Sequence, residues 1–394
     1  MRSNLTEQLC PKDLSDRLIE LRHDLHRHPE LSFRENNTSD RLHEEMQRLE
    51  PRSLKRVANT GLLARIPGRD PRLRPVAIRG DIDALPIRED TGATFSSMID
   101  GVMHACGHDV HAAWTVGAAH LLVRDPPAGD VIVLLQPGEE TGRGAPAMIE
   151  AGSLEEVAAI FGGHVDMRFE IGTAVAQPGN VSASADEFTV ELRGRGCHAA
   201  RPNEGTDTIV GLATLVTSLQ TIVARRVPPG VPAVVSVGTV EAGTAANIIP
   251  DAARLTGTVR AVDSVTRDLL HDELHRMAKS VAETHRLEST VSVKLGTPPL
   301  VNEHEFMTWV REAVTGLLGE DALRTLPVPN LGGEDFAFYL EKVPGCFIRI
   351  GGRRSDQEPV PAHTPRFLPD DDAVIVGAAV LAEIARAGSR HFNA

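Results

Sequence analysis

Within nine residues, Met103 to His111, the chain places a thiol (Cys106), three imidazoles (His104, His108, His111) and a carboxylate (Asp109). These are metal-binding or proton-moving groups, and they are costly to crowd together without a use. The apolar run over residues 112–119 predicts a helix, so the cluster falls in a loop and a first helical turn, where side chains can converge. Cys-x-His alone provides two ligands, which do not make a site. The chain adds the adjacent carboxylates Glu139 and Glu140, then His164 and His363. Neighbouring carboxylates repel at short range, and metal charge is the usual reason to hold them together. One can bind a cation while the other stays free to carry a proton. A dinuclear hydrolytic site needs several ligands, a bridging group and a separate base, and these residue types suit that demand.

The elements around these residues predict how they meet. Leu14, Leu18, Leu21 and Leu25 form a helical stripe that ends near Pro29, and a second helix is expected over residues 39–49. Short, nearly continuous apolar runs at 61–66, 76–78, 131–135 and 157–161 read as strands of a sheet buried on both faces. Asp81 and Asp83 follow one run, Glu139 and Glu140 another, and His164 a third. Ligands of open α/β sheets bind beyond the carboxyl ends of strands, so three strands deliver these groups to one edge. From about residue 182 the texture changes. A strand near 188–192, a helix from Thr208 capped by Asp207, strands at 234–240 and 253–260, a helix at 266–285 and a strand at 289–294 spell a ferredoxin-like unit. The expected fold is therefore α/β: a domain with a mixed, largely parallel sheet from 1–181 and 297–394, and an inserted ferredoxin-like α+β domain at 182–296.

Composition narrows the partners. The 394 residues exceed one ordinary core, in keeping with two domains. A net charge of −13, from 41 basic and 54 acidic residues, argues against nucleic acid or anionic membrane as partner. Aromatic content of 4 %, with one Tyr, gives no stacking surface for bases. Cys10, Cys106, Cys197 and Cys346 follow no disulfide spacing and read as reduced thiols. No apolar leader is visible in the first sixteen residues, and no run suggests a membrane span, so a cytoplasmic protein is expected.

Across nearly its whole length the sequence resembles the dinuclear-metal amidohydrolases and peptidases that include hippurate hydrolase, indole-3-acetyl-amino-acid hydrolases, aminoacylases and related carboxypeptidases. The motifs that carry the resemblance are His26-Arg27-His28-Pro29-Glu30-Leu31, Gly80-Asp81-Ile82-Asp83-Ala84-Leu85-Pro86, His104-Ala105-Cys106-Gly107-His108-Asp109 and Gln136-Pro137-Gly138-Glu139-Glu140. They continue through Gly163-His164-Val165-Asp166, His198-Ala199-Ala200-Arg201-Pro202, Asn247-Ile248-Ile249-Pro250-Asp251, Gly332-Gly333-Glu334-Asp335-Phe336 and His363-Thr364-Pro365. The resemblance implies that Cys106, His108, Glu140, His164 and His363 bind two divalent ions per subunit, with Cys106 bridging where many relatives use Asp. It makes Glu139 the general base, Asp83 an orienting carboxylate and His198 an oxyanion donor. Asn247 and Arg260 are candidates for holding a substrate carboxylate. Thiolate and imidazole favour zinc, cobalt or nickel, while carboxylates admit manganese; zinc or manganese is expected first. The substrate implied is a small N-acyl amino acid or dipeptide. The inserted domain would act as a lid and dimerisation surface, giving a homodimer or homotetramer in which His198 serves its own subunit or the partner.

Two departures from the family pattern stand out: Cys197 in place of the Gly common before the His of the oxyanion motif, and Gly138 in place of the Ala common before the Glu pair. Other readings stay open. His104 and His111 match no ligand position and read more readily as structural than as ligands. Asp81 is either a turn residue or part of the site, Asp109 a favourable charge at a helix N-terminus, and Glu334-Asp335 a helix cap or cleft lining. Cys106 as a nucleophile paired with His108 would give a cysteine hydrolase. A dipeptidase or carboxypeptidase would share every ligand. A non-catalytic metal- or ligand-binding protein would have no need of Glu139.

Overall fold

The computed structural model describes residues 4–393, which divide into two compact units. One takes the chain up to Gly179, then Asn302–Pro327 and from Phe338 onward; the other takes Asn180–Val301 and Val328–Ala337. No side-chain pattern marks the returning segment Val328–Ala337. It joins the second unit through Asn330, whose N–H and C=O pair with Val181 and Ala183 at 3.1 and 2.9 Å.

The first unit is built on an eight-stranded mixed sheet. Its centre is parallel: Val131–Gln136, Val76–Asp81, Ile160–Glu170 and Gly345–Arg353 lie side by side in that order. Gly61–Ile66 and Ser53–Val57 extend one side antiparallel. The parallel strands Val76–Asp81 and Val131–Gln136 are buried at every position; the apolar runs 76–78 and 131–135 point to this, while Arg79 and Asp81 are charged residues buried beyond the first run. Helix Lys12–Arg27 buries the expected stripe of Leu14, Leu18, Leu21 and Leu25, and ends just before Pro29. Helices His108–Arg124 and Asp372–His391 bury most of their residues in the same core, so their sequences are apolar nearly all round.

One expected strand is misplaced. Residues 157–159 are apolar and buried but form the approach to the sheet; the strand itself runs Ile160–Glu170. His164 therefore sits inside a strand, not beyond its end.

The second unit is the expected ferredoxin-like arrangement. Its antiparallel sheet has the order Ala233–Ala242, Ala252–Ala261, Asp186–Arg193, Glu288–Lys294. Helices Thr208–Arg226 and Ser264–His285 supply Leu212, Leu215, Leu219, Leu270 and Leu274 to its core. Asp207 caps the first helix by accepting from the N–H groups of Ile209 and Val210, at 2.9 and 3.0 Å. Helix Thr208–Arg226 is, among the described residues, the one helix long and apolar enough to cross a membrane. Its apolar stripe, with Leu212, Leu215, Leu219 and Ile222, packs the helix on the sheet.

Candidate dinuclear metal centre

The residues meet because strand ends and one helix start converge. Gly107 has φ +87°, a left-handed conformation that turns the chain into helix His108–Arg124. A Cβ there would lie 2.5 Å from Val165 Cγ1, so the turn tolerates glycine alone. It leaves Cys106 just before the helix and His108 on its first turn. Gly138, at φ +64°, turns the chain out of strand Val131–Gln136 into the short 3-10 turn Glu139–Thr141. His363 also adopts a positive φ, +62°, and its N–H bonds to the carbonyl of Ala105 at 2.8 Å. That strained backbone tethers a distant loop to the Cys106 loop.

Several groups of possible ligand atoms result, and two of them share Cys106. Cys106, His108 and His164 form one; Cys106, Glu140 and His363 form the other; within each, the atoms lie within 4.8 Å of one another. Cys106 belongs to both. Its Sγ is 3.3 Å from His164 Nε2, and Glu140 Oε1 is 3.5 Å from His363 Nε2. Glu139 Oε2 lies 3.8 Å from His108 Nε2.

Asp83 is the hub of the arrangement. Oδ1 accepts from His108 Nδ1–H and from the Glu139 amide, each at 3.1 Å. Oδ2 accepts from the Ser32 hydroxyl at 2.7 Å and the Glu140 amide at 3.1 Å. One buried carboxylate thus fixes a histidine tautomer and the backbone of both glutamates. Burial alone would raise its pKa, but His108 and Ser32 more than offset that and lower it. Glu35, also buried, accepts from the Gly138 amide at 3.0 Å and from Thr60 at 2.6 Å, holding the turn before Glu139.

The donor set fits divalent cations. His108 Nε2 and Glu140 Oε1 are buried without a hydrogen bond, an arrangement that is costly unless something else binds them. Burial, with Glu140 and Glu139 nearby, pushes the Cys106 thiol well above its usual pKa. A cysteine nucleophile needs the opposite, a lowered pKa, so the cysteine-hydrolase reading loses its support. Positive charge at the centre would relieve the same crowding of acidic groups.

Other sequence candidates fall elsewhere. His104 is buried, and neither ring nitrogen has a hydrogen-bond partner; burial lowers its pKa to about 4. Asp109 is fully buried and pairs with His26 at 2.9 Å and Arg22 at 3.1 Å, more than the helix-terminus charge expected of it. Asp81 is fully buried, binds Arg79 and lies 2.6 Å from His111. Glu334 Oε1 accepts the Phe336 amide at 3.0 Å ahead of helix Ala337–Leu340.

Within the second unit, His198 and Asn247 are neighbours. The two-residue strands Cys197–His198 and Ile248–Ile249 pair, and the Ala199 N–H bonds to the Asn247 carbonyl at 3.0 Å. His198 Nδ1 accepts from the Ala200 amide at 3.1 Å, so the neutral ring carries its hydrogen on Nε2. Arg260 is half-buried on strand Ala252–Ala261, opposite Val234, outside that two-strand ladder. Sequence reasoning missed Ser32 and Glu35, which lie just past the His26–Leu31 motif. It also missed Arg79, a charge in a buried strand whose partner Asp81 lies two residues on in the same strand.

Residues 77–387 match peptidase family M20/M25/M40. The chain is 38 % identical to N-acetylcysteine deacetylase of Bacillus subtilis, over 96 % of this chain and 98 % of that one. It is 34 % identical to IAA-amino acid hydrolase ILR1-like 2 of Arabidopsis thaliana, over 98 % and 88 %. Its structure is similar to that of a dinuclear metal-binding peptidase from the M20 family of Bacillus subtilis, with a TM-score of 0.86, 34 % identity, and coverage of 97 % of this chain and 99 % of that one.

Proposed function

The chain belongs to peptidase family M20/M25/M40, and we propose that it is a metal-dependent hydrolase of the amide bond in N-acylated amino acids or related small conjugates. The observation that carries this reading is the pair of ligand groups sharing Cys106; Glu139 is in neither of these two but stands within ligand range of His108 and Glu140, close enough to move a proton at the centre. Cys106, His108 and His164 would hold one cation, and Cys106, Glu140 and His363 the other. When bound, the cations supply Lewis acidity that polarises the amide carbonyl and eases deprotonation of the attacking water. Zinc or manganese best suits this mixture of thiolate, imidazole and carboxylate, with cobalt or nickel also compatible.

Glu139 takes a proton from water as the oxygen adds to the carbonyl carbon. It then hands that proton to the departing amine as the C–N bond breaks, leaving a carboxylate and an amine. Asp83 keeps Glu139 in place through its amide and keeps the hydrogen of His108 on Nδ1. His198 Nε2–H donates to the oxyanion, a contribution worth about 10²–10³ in rate. Asn247 and Arg260 hold the substrate carboxylate. N-acyl amino acids are favoured over dipeptides because the N-acetylcysteine deacetylase is 38 % identical, against 34 % for two carboxypeptidases of Saccharolobus solfataricus.

The second unit (residues 182–296 by sequence) acts as the lid and oligomerisation domain. Its edge strand Ala233–Ala242 pairs on one side, and Ile209, Val210 and Val240 are exposed, features that suit a homodimer or homotetramer. Mixing His198→Ala with Glu139→Gln protein tests sharing between subunits: recovered activity supports it, and none places His198 in its own chain's site. Four free cysteines suit a cytoplasmic enzyme. Turnover over a panel of N-acyl amino acids and dipeptides, with metal analysis, tests the function. Glu139→Gln should nearly abolish turnover at unchanged metal content; near-normal turnover would remove Glu139 as the base.

A further inference from the structure

We infer that His111 is a positioning residue for the metal ligand His164 and binds no metal itself: it clamps Val165, whose carbonyl decides which nitrogen of His164 faces the centre. The inference rests on the reading of His164 as a ligand. His111 is fully buried on helix His108–Arg124, close to one turn beyond His108. Asp81 and His108 lie within ligand distance of it, so proximity alone would admit it as a third ligand. Its hydrogen bonds exclude that. Nδ1 is 2.6 Å from Asp81 Oδ1, and an ionised carboxylate only accepts, so the ring hydrogen sits on Nδ1. Nε2 accepts the Val165 amide at 2.9 Å, which uses the one remaining lone pair.

Val165 passes the constraint on. Its carbonyl accepts from His164 Nδ1–H at 2.6 Å. A carbonyl cannot donate, so His164 carries its hydrogen on Nδ1 and turns the Nε2 lone pair towards Cys106 Sγ, 3.3 Å away. Asp81 is held in turn by Arg79, whose Nε donates to Gln136 Oε1 at 2.8 Å. The Tyr339 hydroxyl donates to the same oxygen at 3.0 Å. A continuous buried chain thus runs Tyr339, Gln136, Arg79, Asp81, His111, Val165, His164. Partners of this kind, one bond removed from a metal, set ligand orientation and tautomer.

Zn²⁺ titrated into metal-stripped full-length protein, in competition with a chromogenic chelator, tests the assignment. Wild type should bind two equivalents and His164→Ala should lose one. His111→Phe should keep both, one of them weakened about 10–100-fold. His111→Asn keeps a donor towards Asp81 but places no acceptor where Nε2 meets the Val165 amide, and should weaken the same equivalent. His111→Gln, whose amide oxygen can reach the Val165 N–H, should recover part of the loss. The polar pair also carries the test if the Phe variant fails to fold. Loss of a whole equivalent in His111→Phe or His111→Asn would make His111 a ligand and overturn the inference. Wild-type affinity at both sites in those variants, even with a lowered melting temperature, would reduce His111 to packing and also overturn it. A His164→Ala protein that binds as wild type would instead remove the premise, a result separate from either.

Discussion

Replacing Asp83 with Asn changes one atom of the hub and should disable the centre by a route the hydrogen bonds define. The carboxylate accepts four bonds, two on each oxygen. An amide offers one oxygen and one NH₂. If the oxygen stays towards His108 and Glu139, the Ser32 hydroxyl can rotate to accept from the NH₂. The Glu140 amide cannot, and a buried N–H left facing a donor costs about 1–3 kcal/mol. If the amide flips, its NH₂ confronts His108 Nδ1–H and the Glu139 amide. His108 must then move its hydrogen to Nε2 and give up the lone pair a metal needs. Either orientation also removes the negative charge behind His108. The expected result is a metal affinity lowered about 10–100-fold, or about 1.4–2.8 kcal/mol, with a lower melting temperature for the metal-free protein. Chelator-competition titration and thermal unfolding with and without metal read the two effects separately. Ser32→Ala is the internal control. It loses one bond to Asp83, worth about 1 kcal/mol, but leaves the His108 tautomer alone, so metal affinity should stay near wild type. An Asp83→Asn protein that binds metal and turns over like wild type would refute the hub.

Gly138→Ala should lower turnover at retained metal content. A non-glycine residue at φ +64° costs about 1–2 kcal/mol, and the new Cβ would lie 2.5 Å from the Phe33 ring. Adding Phe33→Ala should recover part of that loss, and no effect on kcat from Gly138→Ala alone would contradict the rigid turn. Arg260→Ala should raise KM about 10–100-fold, the range for losing a charged hydrogen bond to a carboxylate, with kcat little changed; an unchanged KM removes Arg260 from substrate binding. Stability should depend on pH through His26. Burial works against its charge, but Asp109 at 2.9 Å and Glu89 at 3.3 Å raise its pKa from 6.5 to about 9. A raised pKa stabilises the fold fully below 6.5, and that stability is lost as pH rises through about 9, an effect of about 3 kcal/mol. Glu89 is lowered from 4.5 to about 2, because its bonds to His26, Thr91 and Ser97 outweigh burial. Its contribution is present above 4.5 and lost as pH falls through about 2. Melting temperature should therefore plateau between about 4.5 and 6.5 and decline towards 9, and His26→Gln should flatten that decline; an equally steep decline in the variant contradicts the assignment.

Much of this was legible because the chemistry is encoded locally. Gly107 and Gly138 mark the turns that aim Cys106, His108 and the glutamate pair, and the apolar runs before them announce buried strands. Periodicity drew helix Lys12–Arg27 and the ferredoxin-like order of the second unit to within a few residues. What escaped was non-local. A continuous apolar run at 157–161 carries no period that marks where a strand begins, so His164 was placed beyond its strand and not within it. Segment Val328–Ala337 returns to the second unit through backbone bonds, which leave no trace in side-chain pattern. The hydrogen-bond partners of the buried histidines also needed coordinates. The motif match sets His108 apart from His111 in sequence, but what His111 touches, Asp81 and the Val165 amide, is visible only in the fold.

The most direct test of the two-cation amide hydrolase is turnover of an N-acyl amino acid as metal is titrated back into chelated enzyme. The account predicts no turnover after chelation, and recovery that saturates as the second equivalent per chain binds. Turnover that survives chelation with no bound metal would contradict it.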